Sequence, residues 1–208
     1  MLMLLSGATS YERNDQVGHL IVPKSWNKPE ALGLHPNRWA MDNGAFVGFD
    51  PGSFMRMLEA FEPYRDELFV TAPDVVGDAA ATTRLWPFWS RVLIGLRRKA
   101  AYVVQDGITA ELLPDAPAYF IGGTTEFKES ATAASIAAYG KTTGKWVHWG
   151  RVNTRRRIKL AMAAGGDSYD GTGFSMFPAT NVPKGEAWVK EIGQELSSPG
   201  LFDEVPTL

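Results

Sequence analysis

The chain has 208 residues, of which 45% are hydrophobic and 21% are charged, and its formal net charge is −2. This length and composition are typical of one ordinary globular domain with a substantial buried core. The near-neutral charge excludes a strong overall attraction to nucleic acid, so any anionic partner must meet a local basic patch. The chain has no cysteine and only three histidines, which excludes disulfides, thiolate nucleophiles and cysteine zinc sites and leaves little for a histidine-rich metal site.

The start of the chain, Met1–Leu5, is apolar but short, lacks a basic flank and is followed at once by polar residues. We therefore expect a buried first strand there rather than a signal peptide. No apolar run reaches the length of about 18 residues that a membrane-spanning helix needs, so we expect no membrane partner. These features favour a cytoplasmic protein, in the host cytoplasm if a phage encodes it.

Short apolar runs recur along the chain, each bounded by Gly, Pro, Asp or Asn, which is typical of buried parallel strands. The eight runs are Leu2–Leu5, Leu20–Val22, Trp39–Met41, Leu68–Thr71, Ala101–Val104, Ala118–Ile121, Lys145–Trp149 and Asp167–Asp170. Helix-like stretches separate most of them: Ser53–Phe61, Asp78–Lys99, Ala131–Tyr139, Thr154–Ala164 and Lys184–Leu196. We expect Pro87 to kink or split the second helix and Asn153 to cap the fourth.

The alternation of strands and helices predicts parallel pairing with right-handed crossovers. Eight strand candidates favour an α/β fold of the closed (β/α)8 TIM-barrel type, with an open doubly wound sheet as the alternative. The first two crossovers are too short for full helices, so that part of the barrel should be abbreviated. We expect a single barrel domain over residues 1–196, followed by a polar tail over residues 197–208.

Polar residues and glycines follow nearly every apolar run, and a barrel brings all of these positions to one rim, where catalytic groups lie. They are the carboxylates Asp42, Asp74 and Asp170, the amide Gln105, and the backbone at Gly122 and Gly123. Such groups can bond the edge of a guanine, whose N1–H and NH2 donate and whose O6 accepts. A remaining carboxylate can attack a sugar C1′. The residues predict a two-carboxylate glycosyl-transfer site, and a hydrolase or a lyase stays open.

Each candidate also has a plain structural interpretation. The three aspartates suit turns or a helix cap, and Gln105 suits a satisfied core amide. Asp167 is a rival nucleophile, although its position inside an apolar run favours capping. His148, near the end of a predicted strand, suits either a core histidine or a side chain that supports the substrate pocket. The run Arg155, Arg156 and Arg157 suits either a solvated helix face or contacts with nucleic-acid phosphates.

The order of these segments resembles the catalytic domain of the queuine and archaeosine tRNA-guanine transglycosylases and of their phage and bacterial DNA-modifying relatives. The segments that carry the resemblance are Met41-Asp42-Asn43-Gly44-Ala45-Phe46, Asp74, Val103-Val104-Gln105-Asp106-Gly107, Ile121-Gly122-Gly123, His148-Trp149-Gly150-Arg151-Val152 and Gly166-Asp167-Ser168-Tyr169-Asp170. The resemblance covers roughly residues 38–175, and its specificity lies in the order of the motifs rather than in any one of them.

The resemblance implies a role for each position. Asp170 is the nucleophile and Asp42 assists the chemistry, while Asp74 and Gln105 hold the guanine edge. The family's tRNA enzymes bind zinc through three cysteines and a histidine, which this chain cannot do, and the remaining length leaves no room for a C-terminal RNA-binding domain. The resemblance therefore implies a compact, zinc-less variant that places a 7-deazaguanine such as preQ0 in DNA and needs no metal or other cofactor.

Three alternatives stay open from the sequence. The polymer could be tRNA instead of DNA. The protein could be a nucleoside or nucleotide N-glycosidase, in which water resolves the covalent intermediate. It could also be a non-catalytic barrel that binds nucleobases or nucleic acid. The residues do not determine which deazapurine is inserted, which sequence context is read, or whether the protein forms oligomers.

Overall fold

The chain folds around a closed barrel of parallel strands. The computed structural model describes residues 1–7, 11, 14–26 and 38–198. Within these residues the strands are β1 (Leu2–Ser6), β2 (Val17–Ile21), β3 (Trp39–Met41), β4 (Val70–Thr71), β5 (Ala100–Val104), β6 (Ala118–Ile121), β7 (Trp146–Trp149) and β8 (Ser168–Asp170). They pair in chain order, and β1 closes the ring by pairing with β8. The predicted TIM-type barrel is confirmed, and the open sheet is wrong.

Two strands differ from their predicted bounds by more than one residue at one end. β2 begins at Val17, although the apolar run begins only at Leu20, because Gly18 and His19 are buried inside the strand without being apolar. A Cβ on Gly18 would lie 1.9 Å from the carbonyl oxygen of Arg38, so only glycine fits there. β4 has two residues instead of the predicted four, because only Val70 and Thr71 have a ladder partner in β5.

Helices cover the outside of the barrel. They are α1 (Pro51–Ala60), α2 (Ala79–Gly95), α3 (Thr125–Lys128), α4 (Ala131–Thr142), α5 (Arg155–Ala163), α6 (Thr172–Met176) and α7 (Pro178–Ser197). The short helices α3 and α6 were not predicted. α2 continues through Pro87 as one helix, and α7 begins at Pro178, before the predicted Lys184. The cap of α5 is Thr154, whose side chain accepts from Arg157 N, and not the predicted Asn153.

The ends and connections of the domain follow the prediction in part. Helix α7 extends through residue 197, the first residue of the predicted tail, and residues 199–208 lie outside the described part of the chain. The described parts of the first two connections contain no helix, whereas residues 27–37 of the second connection, including His35, lie outside it. Among the described residues, no helix is long and apolar enough to cross a membrane.

Successive side chains of each strand point alternately into the barrel and toward the helices, so the buried residues form two kinds of core. One cluster fills the barrel interior and combines small residues such as Ala40, Ala101 and Ala118 with the large ring of Phe69. The other clusters lie between the strands and the surrounding helices and include Met3. Because a barrel interior is a packed core rather than a channel, polar residues become accessible only at its rim.

A buried ion pair joins α1 to the end of the barrel opposite to the carboxyl ends of the strands. The side chains of Arg98 and Glu67 are each 1% exposed and lie 3.2 Å apart. The Arg98 guanidinium also donates to the carbonyls of Leu58, Phe61 and Tyr64, which end α1 and follow it. The Phe61 carbonyl also accepts from the backbone N–H of Tyr64, whereas the Leu58 and Tyr64 carbonyls lie at a helix end, where backbone partners are lacking.

We expect Arg98→Met to lower the free energy of unfolding by about 3–5 kcal/mol, because the change leaves the buried Glu67 carboxylate without its ion-pair partner and the Leu58 and Tyr64 carbonyls without the Arg98 donor. Arg65→Met is the matched control, since Arg65 pairs with Glu62 at the surface and exposed pairs contribute about 0–1 kcal/mol. Urea unfolding followed by circular dichroism measures both variants. Equal effects of the two changes would contradict this prediction.

Candidate active site

A pocket of about 180 Å³ opens at the carboxyl ends of the barrel strands. The residues that line it include the sequence-predicted Asp42, Asp74, Gln105, Gly122, Gly123 and Asp170. They come from the segments that follow β3, β4, β5 and β6 and from the last residue of β8, which are far apart in the chain. The prediction that one rim gathers these groups is confirmed, and His148 lies directly beneath them, in contact with Asp170.

Asp170 is the last residue of β8 and is only 6% exposed. Its Oδ2 lies 3.0 Å from His148 Nε2, and its Oδ1 accepts a hydrogen bond of 3.1 Å from the backbone N–H of Arg151. One neighbour therefore orients each carboxylate oxygen. Since a carboxylate oxygen has two lone pairs, both oxygens keep acceptor capacity toward the pocket.

Asp42 follows β3 and is held by two donors. Its Oδ1 accepts from the backbone N–H of Asn43 at 2.9 Å and from Thr71 Oγ1 at 3.1 Å. Burial raises the pKa of Asp42, and the nearby charge of Asp170 raises it further, against the opposing effect of these hydrogen bonds. A carboxyl group that retains its proton more readily than usual is suited to proton transfer.

Asp74 follows β4 and lies between two amides. Asn43 Nδ2 donates to its Oδ1 at 2.8 Å, and Gln105 Nε2 donates to its Oδ2 at 2.6 Å. Burial raises the pKa of Asp74 to about 6, although both of these bonds act in the opposite direction. The alternative that Asp74 caps the next helix is wrong, because Asp78 caps α2 through a bond from Ala81 N.

The Gln105 amide has a defined orientation. Its Oε1 accepts from the backbone N–H of Gly77 at 2.8 Å, so its Nε2 points at Asp74. One of the two N–H groups of Nε2 therefore bonds to Asp74. A bond between Gln105 and a base stays a prediction. A Cβ on Gly122 would lie 3.0 Å from Gln105 Nε2, so glycine at this position leaves room for the amide.

The two predicted backbone donors differ in availability. The N–H of Gly122 donates to the Val104 carbonyl at 3.0 Å within the barrel, so it is already engaged. Gly123 has a φ of 76°, a left-handed conformation that favours glycine. Of the two, Gly123 is therefore the better candidate for a contact with a ligand.

Arg151 and Phe46 form the mouth of the pocket and were not predicted as site residues. The Arg151 guanidinium lies 3.8 Å from the centre of the Phe46 ring and donates to the Gly123 carbonyl at 3.1 Å. The Phe46 ring is 60% exposed. Arg151 has a φ of 55°, which is strained for a residue with a side chain. This conformation accompanies the bond between the Arg151 N–H and Asp170. Phe46 lies in the same motif segment as Asp42, and Arg151 in the same segment as His148.

Lys128 is a buried cation close to this mouth. Its Nζ donates to the Gly150 carbonyl at 3.0 Å, and the residue is 5% exposed. Burial, with a smaller contribution from the charge of Arg151, lowers the pKa of Lys128 to about 8. Together with Arg151, Lys128 places positive charge beside the acidic pocket.

The arginine run lies on the first turn of α5, outside the pocket. Its ion pairs join Arg155 to Glu191 and Glu195, and both Arg156 and Arg157 to Glu129. Each arginine thus has a carboxylate partner within the chain, which reduces the positive field available to a polymer. A contact between this run and nucleic-acid phosphates stays a prediction.

Within the described ranges 1–7, 11, 14–26 and 38–198, no group of three His, Cys, Asp or Glu side chains is arranged to hold a metal ion. The three aspartates of the pocket bond instead to protein donors from Asn43, Thr71, Gln105, His148 and Arg151.

The closed barrel with polar groups gathered at the carboxyl ends of its strands defines the chain as a (β/α)8-barrel protein. No protein-family model matches it, and no curated protein sequence matches it significantly. Among solved structures, it is similar to the Bacillus subtilis YkuI protein with an EAL domain, in complex with its substrate c-di-GMP and calcium, at 10% identity and a TM-score of 0.37. The alignment covers 89% of this chain and 47% of that one, so the chain spans about half the length of that structure.

Proposed function

We propose that the protein is a base-exchange glycosyltransferase that replaces guanine in DNA with a 7-deazaguanine such as preQ0. The observation that carries the proposal is the pairing of two unlike carboxyl groups in one pocket. Asp170 has one hydrogen-bond partner at each carboxyl oxygen, whereas the pKa of Asp42 is raised by burial and by the charge of Asp170. A pair of this kind supplies a nucleophile and a proton donor.

In the first step an Asp170 oxygen attacks C1′ of the target nucleotide. The C1′–O bond forms as the C1′–N9 bond breaks, and the electron pair of that bond leaves with the guanine. Asp42 gives its proton to the departing base and becomes a carboxylate. The N–H of Gly123 and the remaining N–H of Gln105 are the candidates to stabilise negative charge on the base.

In the second step the incoming 7-deazaguanine occupies the vacated pocket. Its N9 attacks C1′ while Asp42 removes the N9 proton, and the C1′–O bond breaks with its electron pair returning to Asp170. Asp42 and Asp170 thereby regain their starting states, so the exchange is balanced without a metal, an oxidant or a reductant. His148 and the backbone of Arg151 stabilise the carboxylate that is released.

Recognition of the base rests on Asp74. A carboxylate at this position can accept from the N1–H and the NH2 of a guanine-type base, since each Asp74 oxygen has one protein donor and a second lone pair. The target base must leave its stack to enter a pocket of this size, so single-stranded or flipped DNA is the expected substrate. The exposed side chains of Phe46, Val47 and Val76 beside the pocket offer apolar contacts to an extruded nucleotide.

Labelled preQ0 offered to the protein with DNA or with tRNA tests the proposal. We expect label to enter DNA, and we expect the rate to survive a chelator, because the proposed steps use only protein side chains. Label in tRNA alone would indicate that the substrate is RNA and not DNA. Release of guanine without incorporation would indicate an N-glycosidase, and binding without release would indicate a non-catalytic barrel. Loss of activity on chelation, with a tightly held zinc, would contradict the metal-free mechanism.

A further inference from the structure

A chain of hydrogen bonds runs along the inside of the barrel to Asp170. Trp146 Nε1 donates to Ser168 Oγ at 2.8 Å, and Ser168 Oγ lies 2.8 Å from His148 Nδ1. His148 Nε2 in turn lies 3.0 Å from Asp170 Oδ2. Ser168 and His148 are both fully buried, and they face each other because the register of β7 and β8 pairs them.

When His148 is neutral, the donors and acceptors of this chain match in one direction only. An indole N–H can only donate, so Ser168 Oγ accepts from Trp146. A carboxylate can only accept, so His148 Nε2 carries a proton that it donates to Asp170. In a neutral imidazole Nδ1 is then an acceptor, and the Ser168 hydroxyl is the donor that meets it. Every polar group is satisfied when the hydrogen bonds run from Trp146 to Asp170.

The imidazole ring is also held sterically. The His148 ring contacts Phe69 and Phe120, at centroid distances of 5.1 and 4.6 Å. These two aromatic contacts oppose rotation of the imidazole, and the complete burial of His148 excludes water from it. The partner of each ring nitrogen is therefore set by the protein.

We propose that Trp146, Ser168 and His148 form a positioning relay that holds His148 as its neutral Nε2–H tautomer and thereby orients the Asp170 carboxylate toward the pocket. A neutral donor fixes the oxygen that it bonds while leaving the charge on the carboxylate, whereas an imidazolium would neutralise much of that charge. The effect on catalysis rests on the proposed function, whereas the tautomer itself does not.

Nitrogen-15 NMR of the imidazole rings tests the relay without any reaction, with the His148 signals assigned by comparison with His148→Gln. In the wild type we expect a protonated Nε2 and an unprotonated, hydrogen-bonded Nδ1 at neutral pH. Ser168→Ala removes the donor to Nδ1, so the Nδ1 signal should shift. Trp146→Phe, which keeps an aromatic ring, should shift it less and serves as the second variant if Ser168→Ala does not fold.

The same variants have a kinetic consequence. Ser168→Ala should slow covalent trapping of the polymer by up to roughly 100-fold, as small misplacements of a reacting group do, while the dissociation constant for preQ0 stays unchanged. Ser90→Ala is the matched control, because it removes another buried serine, on α2 and away from the pocket, and should change neither readout.

The outcomes separate the relay from the proposed function. An Nδ1–H tautomer in the wild type would overturn the relay whether or not the protein is active. So would a Ser168→Ala variant with unchanged ring signals and an unchanged trapping rate. An inactive wild type with the expected Nε2–H tautomer would instead overturn the base exchange and support the relay as a feature of the fold.

Discussion

Asp170→Asn is expected to reduce base exchange by at least about 1000-fold and to abolish covalent trapping of the polymer. An electron pair of the Asp170 carboxylate forms the new C1′–O bond, and a neutral amide is a poor nucleophile. The fold should persist, but the Asn Nδ2 must face either His148 Nε2 or the N–H of Arg151, both of which are donors. We therefore expect the free energy of unfolding to fall by about 1–2 kcal/mol. Denaturing gels with labelled DNA measure trapping, and urea unfolding measures stability.

Asp167→Asn is the matched control, because Asp167 is the rival carboxylate of the same segment. Asp167 forms an ion pair with Lys141 and accepts from the backbone N–H of Val147, at the end of β8 away from the pocket. This variant should exchange bases at the wild-type rate. Trapping by Asp170→Asn at the wild-type level, or a loss confined to Asp167→Asn, would contradict the assignment of the nucleophile.

Binding of free bases is expected to favour guanine-type bases over adenine by at least roughly tenfold, which corresponds to ~1.4 kcal/mol. Adenine has no N1–H and carries an amino group where guanine has O6. Adenine would leave the Asp74 carboxylate short of a donor, at a cost on the order of 1–3 kcal/mol. Calorimetric titration of preQ0, guanine and adenine measures the preference, and equal affinities would contradict it.

Asp74→Ala should remove most of this affinity, since it deletes the acceptor of both base donors. Asp78→Ala provides the control on the same segment, because Asp78 caps α2 and does not line the pocket. The control should cost about 1 kcal/mol of stability through the lost cap and leave base affinity unchanged. If the Asp74→Ala variant binds preQ0 as tightly as the wild type, Asp74 does not recognise the base.

The pH dependence of binding follows from the same residue. Burial raises the pKa of Asp74 to about 6, and the group can accept two base donors only as a carboxylate. Affinity should therefore be full above that pKa and should be lost as the pH falls through about 6. The groups that face Asp74 are Asn43, Gln105 and Asp42, and only Asp42 titrates. The Asp74→Asn variant should bind the base weakly, and its affinity should not depend on pH in this range. A wild-type affinity that stays constant from about pH 8 to about pH 5 would contradict the prediction.

The local pattern of the sequence was sufficient to predict the barrel and most of the pocket lining. Buried parallel strands require apolar runs, and the turns that follow them require small or polar residues, so Asp42, Asp74 and Asp170 stand out by position. The start of β2 was not predicted, because it contains Gly18 and His19. Whether a glycine or a histidine is buried depends on what packs against it, and residue type alone does not show this. The local pattern also predicted that Pro87 would kink or split the second helix. The split is wrong, because α2 is one helix that contains Pro87.

The partners of the site residues could not be predicted in this way. Arg151 reaches Phe46 across the pocket mouth only because the barrel brings the ends of β3 and β7 to the same rim. The arginine run pairs with Glu129, Glu191 and Glu195, which lie on other elements and convert an apparent basic patch into ion pairs.

The sequence by itself determined the alternation of strands and helices, the position of a carboxylate after β3, β4 and within β8, and the absence of cysteine chemistry, because each depends on residue type and local spacing. The tertiary structure alone decided which partners these groups bond to and that the pKa of Asp42 and of Asp74 is raised. Burial raises the pKa of Asp42 and Asp74, and strand register brings Ser168 opposite His148. Both effects depend on side chains distant in the chain, since desolvation and hydrogen bonding act through space rather than along the backbone.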